Sequence, residues 1–265
     1  MTQMQRAMTS EPAAASAPVP RVQRVMHEGG WAILKRRRPA HGAWRYALMR
    51  GGARLCGAPS LVAVPAHGGM RAQQIELRRL RELRAAGVAV PAVLGETEDG
   101  ILLQFLGDRA LVEEFKLDAA TGLAAWRRGL EAIADVHRRG QYLSQAFARN
   151  MLAHDGRLWF IDFEDDPLEA MDLVHAQARD WLAYLHSSVW LLAAPRTAQL
   201  DAWRATVLTM PEHVARCLRA DTRRVLWLRH LPARRRPWGR DVVSVQALMA
   251  FLHAWSCETK STDGA

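Results

Sequence analysis

Lysine is nearly missing from this chain: of 36 basic residues in 265, three are lysine (Lys35, Lys116 and Lys260) and the rest are arginine. Any position that keeps a lysine is therefore an unusual choice. Cysteine is just as sparse. Cys56, Cys217 and Cys257 are odd in number and widely spaced, which offers neither a disulfide framework nor zinc-ligand spacing and favours a reducing compartment. Long hydrophobic runs are missing too. The longest uncharged stretch, Leu182 to Pro195, contains His186, Ser187 and Ser188 and is too short and too polar to span a bilayer. Residues 1–20 are rich in Ala, Ser, Pro and Thr with no apolar segment, so a flexible tail is expected there and a secretory signal is not. There is no internal repeat.

What is present is a globular composition, 49% hydrophobic and 24% charged, with a net charge of +9. A chain of this length buries a sizeable core, as one large domain or two lobes. The basic balance suits an anionic partner, whether nucleic acid, nucleotide or an acidic membrane surface, and selects none of them. Nucleic acid is the least favoured: Trp44 and Tyr46 do interleave with the basic stretch 35–54, but no recognised binding motif accompanies them. That stretch, with Arg36, Arg37, Arg38, Arg45, Arg50 and Arg54, is read as irregular and solvated, with an anion-binding patch as the sharper alternative. The same two readings apply to the arginines around Arg234-Arg235-Arg236 and Arg240.

The first half reads as strands around one helix. Val22 and Val25, then Gly29-Gly30, then Trp31–Arg36 give strand, turn and strand, and Trp31, Ile33 and Lys35 share a face by the two-residue period. A helix is expected over 71–86, closed by Gly87 with Pro91 beyond it. On that helix Glu76, Leu80 and Leu83 fall on one stripe. A carboxylate on an apolar stripe needs a cation, because burying it alone costs several kcal/mol. Lys35 is the attractive candidate. Val88–Leu94 and Ile101–Phe105 are expected to be two more strands. After Gly107-Asp108 the pattern turns helical, with an amphipathic helix over 123–139 on which His137 is a core or helix-end residue, and further helices near 171–194, 198–218, 221–231 and 241–257.

Within the helical half lies one hairpin. Residues 141–167 contain two apolar runs joined by the turn His154-Asp155-Gly156-Arg157, a tight Asp-Gly type. Asn150 stands at its entrance. At its exit, Asp162-Phe163-Glu164-Asp165-Asp166 sets four carboxylates in five positions. Oxygen donors side by side at a hairpin suit a hard cation such as Mg²⁺, although an acidic run alone is more often a solvated loop.

Lys35 on a strand, Glu76 on the next helix, Asn150 in a loop and Asp162 after a strand stand in an order that resembles the protein-kinase-like fold. Val136-His137-Arg138-Arg139-Gly140, Ala148-Arg149-Asn150-Met151-Leu152, Phe160-Ile161-Asp162-Phe163 and Ala178-Arg179-Asp180-Trp181 narrow the resemblance, which covers about residues 22–195. It is to the bacterial lipopolysaccharide kinase-like group, which includes the Kdo and core heptose kinases. The resemblance implies a two-lobed α+β protein. Its parts are a tail (1–20), a small β-rich N-lobe with one helix (21–107), a larger helical C-lobe with a central hairpin (108–258) and a second tail (259–265).

It also implies an ATP- and Mg-dependent phosphotransferase acting on a hydroxyl of a sugar, lipopolysaccharide-like or protein acceptor. Lys35 then grips the phosphates, Glu76 orients Lys35, and Asn150 and Asp162 hold the metal. Gln145 with Arg149 positions the acceptor, and Asp180 accepts hydrogen bonds from the catalytic loop. The expected location is cytoplasmic, with peripheral contact at the inner membrane surface. The chain departs from the family pattern at two places. Gln145 occupies the position of the catalytic Asp, no carboxylate lies between Asp135 and Asp155, and an amide cannot take a proton. His27-Glu28-Gly29-Gly30 stands where a GxGxxG loop belongs. These departures support an alternative reading, a pseudokinase that serves as a nucleotide-binding or regulatory module.

Overall fold

The fold places a four-stranded sheet before a set of helices, joined through one long helix and a small hairpin. A computed structural model describes residues 20–37, 57–65, 67–234 and 236–262, the side chains of 258–262 excepted. The expected tail over 1–20, Pro20 excepted, the arginine-rich stretch 38–56 with Trp44, Tyr46 and Cys56, and Arg235 lie outside the described residues.

Strands β1 (Val22–His27) and β2 (Gly30–Arg36) form the expected first hairpin. Their turn is two residues long, and Glu28 and Gly29 both have positive φ, 46° and 82°, the signature of the type I′ turn that matches strand twist. β3 (Val93–Glu96) and β4 (Gly100–Gln104) complete an antiparallel sheet in the order β1-β2-β4-β3. Lys35 pairs with Val22 on one side and Ile101 on the other. Helix α1 (Gly69–Ala85) buries Leu77, Leu80 and Leu83 in a core shared with Ile101 and Leu103. The strand expected from Val88 begins five residues later. Val88 and Val90 are buried as the pattern requires, but Pro91 has no N–H to give a ladder, and the segment joins the sheet through Gln104 N donating to Ala92 O.

The second half is helical: α2 (Leu111–Glu114), α3 (Ala119–Arg138), the hairpin β5 (Met151–His154) and β6 (Arg157–Phe160), then α4 (Leu173–Ser188), α5 (Arg196–Thr209), α6 (Glu212–Val225) and α7 (Arg240–Thr262). Asp118 and Asp172 cap α3 and α4 by accepting from backbone N–H groups of the first turn, as N-cap carboxylates do. The single helix expected over 198–218 is two, because Pro211 cannot continue a helix and instead caps the next one. The helix expected over 221–231 is the end of α6 followed by a 3-10 segment, Leu226–His230. α7 runs to Thr262, past the expected start of a tail at 259. Among the described residues no helix is long and apolar enough to cross a membrane.

α4 sits at the centre of this half. Trp181 meets Trp203 of α5 edge-on, with ring centroids 5.7 Å apart, and Trp203 meets Trp255 of α7 at 5.8 Å. Tyr184 stacks on Trp126 of α3 and donates its hydroxyl to the Trp126 carbonyl at 2.8 Å. Gly129 makes that approach possible: a Cβ there would stand 2.0 Å from the Tyr184 oxygen. Glycine inside a helix ordinarily costs about 1 kcal/mol relative to alanine, so Gly129→Ala is expected to reverse the usual sign. It should lower stability by about 1–3 kcal/mol, as overpacking does, in urea unfolding of the two proteins. A gain in stability would refute the packing account.

Candidate functional site

Lys35 reaches the interior from the middle of the sheet, one of the buried charged residues of the chain, 9% exposed. Its Nζ donates to Glu76 Oε1 at 2.7 Å and to Asp162 Oδ1 at 2.8 Å, and stands 2.9 Å from Glu164 Oε1. An ammonium carries three N–H donors and no acceptor, so three carboxylates, one on α1 and two just after the hairpin, match its donor capacity. Glu164 also pairs with Arg21 just before β1. Lys35, the candidate cation for the carboxylate on the helix stripe, does pair with Glu76. The contact of Lys35 with Asp162 and Glu164 was not foreseen.

Asp162 directs its side chain from an unusual backbone, φ +73°. A non-glycine residue in this region is uncommon, and Asp is among those that tolerate it best. Ser144, φ +68°, is a second such residue, immediately before Gln145. The two segments that these residues turn, 144–150 and 162–166, lie together. Asn150 Nδ2 donates to Gln145 O at 3.1 Å, Ile161 N donates to Asn150 O at 3.0 Å, and Gln145 Nε2 donates to Asp165 Oδ2 at 2.7 Å.

Helices hold the loop before the hairpin from behind. Asp180 of α4, fully buried, accepts from Leu143 N at 2.7 Å, and the same oxygen lies 3.1 Å from His137 Nε2. The histidine is thus a helix-end residue orienting that carboxylate. Ser187 Oγ accepts from Ala148 N at 2.9 Å, and Arg79 of α1 donates to Tyr142 O at 2.8 Å.

Lys35, Glu76, Asn150, Asp162 and Arg149 all line one cavity of about 420 Å³, whose inner wall is apolar through Ile33, Leu103, Leu106 and Ile161. Arg149 is at the surface with its guanidinium over the Phe147 ring, 4.3 Å from the centroid. Gln145 does not line this cavity; it faces a second one. The tight β1–β2 turn contributes nothing to the first lining; Arg21 and Val22, at the opposite end of that hairpin, do.

No family model matches the chain, and no curated protein matches it significantly. The chemistry of the site therefore stands on its own geometry. Among the described residues the lining holds no histidine or cysteine. Asn150 and Asp162 offer oxygen donors only, a set that fits a hard divalent cation such as Mg²⁺ and not a thiophilic metal. His175, Cys217 and Asp221 form a separate group away from this cavity, where Asp221 accepts from Ser60 N at 2.8 Å and Cys217 touches the Ser60 hydroxyl.

The last carboxylate of the acidic run is structural. Asp166 accepts from the Tyr142 hydroxyl at 2.6 Å, from Leu168 N at 3.0 Å and from Arg78 of α1. Burial alone would raise its pKa, but the hydrogen bonds from Tyr142, Arg78 and Leu168 outweigh burial and hold it below the ordinary carboxylate value. A native pKa below the unfolded one gives stability that is complete above the unfolded value, about 3.9, and is lost as pH falls through the lowered native value. Asp166→Asn is accordingly expected to cost about 1–3 kcal/mol at pH 7, as for hydrogen bonds to a charged group, with the gap to wild type closing as pH falls below 4. Urea unfolding at pH 7, 5 and 3.5 measures this; a gap independent of pH would overturn the assignment.

Proposed function

We propose that the protein is an ATP- and Mg-dependent phosphotransferase of the protein-kinase-like superfamily, acting on a hydroxyl of a sugar, lipopolysaccharide-like or protein acceptor. The observation that carries this reading is the meeting of Lys35, Glu76 and Asp162, residues 41 and 127 positions apart from the lysine, on a cavity that also takes Asn150. In the proposed fold the sheet with α1 is the small lobe and the helices with the hairpin are the large one. The nucleotide base enters the apolar end of the cavity, against Ile33 and Leu103, and the phosphates approach Lys35.

When nucleotide binds, the Lys35 ammonium is shared with phosphate oxygens, and Glu76 keeps it in place. Asn150 and Asp162 would hold Mg²⁺, which screens phosphate charge and aligns the triphosphate. Since phosphoryl transfer depends mainly on positioning and electrostatics, these residues carry most of the work. A second reading is favoured by one observation: Gln145 stands where a catalytic carboxylate is expected, and it cannot take a proton. On that reading the protein binds nucleotide and regulates a partner.

Thermal unfolding with and without ATP and Mg²⁺ tests the shared part of both readings. Nucleotide at 100 times its Kd stabilises by about 2.7 kcal/mol, a rise in Tm of roughly 5–10 °C for a protein of this size. The rise should need Mg²⁺ and should vanish in Asp162→Ala. No rise at millimolar nucleotide would sink the nucleotide-binding reading.

A further inference from the structure

The carboxylate missing from the loop before Asn150 returns from another part of the chain. Of the four carboxylates after the hairpin, Asp162 and Glu164 meet Lys35, and Asp166 meets Tyr142 and Arg78. Asp165 instead lies against Gln145, with its Oδ2 accepting from the amide at 2.7 Å. Together with Ser144, these two residues line a second cavity of about 520 Å³. Segments 144–150 and 162–165 thus contribute to both linings. Asn150 and Asp162 face the first cavity, and Gln145 and Asp165 face the second.

We propose that Asp165 is the catalytic carboxylate of the transfer, and that Gln145 is the positioning residue that holds it towards an acceptor in the second cavity. The assignment rests on the phosphotransferase reading. The acceptor hydroxyl oxygen forms a bond to the γ-phosphorus of the nucleoside triphosphate in the first cavity. The bond from that phosphorus to the β–γ bridging oxygen breaks, and the nucleoside diphosphate leaves with the electron pair. The hydroxyl proton passes to the Asp165 carboxylate. An amide at position 145 then costs the reaction nothing, because its role is to donate one hydrogen bond and leave the carboxylate oriented.

The rest of the second cavity indicates the acceptor class. Leu61, Val64, Leu182, Leu228, Leu248 and Met249 line it, and Arg179 fixes its outer wall by donating to the Ser60 and Val62 carbonyls at 3.3 and 3.1 Å. A bare sugar leaves such a surface unmatched. A hydroxyl compound with an apolar body fills it.

The test uses the full chain as wild type, Asp165→Asn and the exchanged pair Asp165→Asn/Gln145→Asp. ADP release from ATP and Mg²⁺ is measured with glucose or n-octyl β-D-glucoside as acceptor, beside the nucleotide-induced rise in Tm. Asp165→Asn is expected to keep the Tm rise and the KM for ATP within about twofold while kcat falls about 100-fold, the scale of a lost general base. The exchanged pair should recover at least about tenfold of that loss, since it restores a carboxylate beside an amide, a recovery that a purely structural role for Asp165 does not give. Octyl glucoside should outpace glucose. A kcat for Asp165→Asn within about threefold of wild type, with nucleotide binding intact, overturns the role of Asp165, because a lost general base costs far more. Wild type that binds nucleotide but releases no ADP also overturns it and leaves the nucleotide site standing. Wild type that binds no nucleotide brings down both proposals. Equal rates with the two acceptors overturn the apolar-acceptor assignment alone.

Discussion

One ammonium gathers parts of this molecule that lie far apart in sequence. Lys35 stands in the sheet, Glu76 on the helix packed against it, and Asp162 and Glu164 follow the hairpin of the helical half. Removing one partner of a buried ion pair is costlier than never having built it, because the charge left behind is desolvated and uncompensated. The cluster therefore fixes how the sheet meets the hairpin. It also accounts for a lysine in a chain that otherwise uses arginine. A compact ammonium can give its three protons to three separate acceptors, whereas the planar guanidinium fork suits two oxygens of one carboxylate.

The acidic run after the hairpin is three separate commitments rather than one patch. Asp162 and Glu164 turn to the lysine, Asp165 to Gln145, and Asp166 to Tyr142 and Arg78. Left-handed backbone at Ser144 and Asp162 turns the two segments, and side chains from α1 and α4 pin the loop from behind. Backbone strain of this kind persists only where the surroundings over-determine it. The two segments that line both cavities are accordingly built from residues with little freedom to relax.

Much of the architecture was legible in the sequence because its causes are local. Alternation and turn chemistry mark β1, β2 and the Asp155-Gly156 hairpin; the apolar stripe marks α1, and its one carboxylate asks for a cation. The misreadings have local causes as well. Valines at 88 and 90 carried a strand through a proline that cannot donate, and apolar periodicity carried a helix across Pro211. The contact between Gln145 and Asp165 is of another kind. It spans 20 residues and depends on how the chain folds back after the hairpin, which no spacing rule encodes. The absence of a carboxylate from 136–154 was a correct observation of the chain and an incomplete one of the space around Gln145.

The two-residue turn between β1 and β2 bears on how the first cavity presents its charge. Among the described residues no loop of backbone amides folds over the opening, and the lining sets Lys35, Arg21 and Arg149 against Glu76, Asp108 and Asp162. Attraction to charged side chains near solvent fades over a Debye length of about 8 Å at physiological ionic strength, whereas a nest of amide dipoles acts at contact. Charge on this lining is thus offered in balanced sets, and little of it reaches beyond the mouth of the cavity.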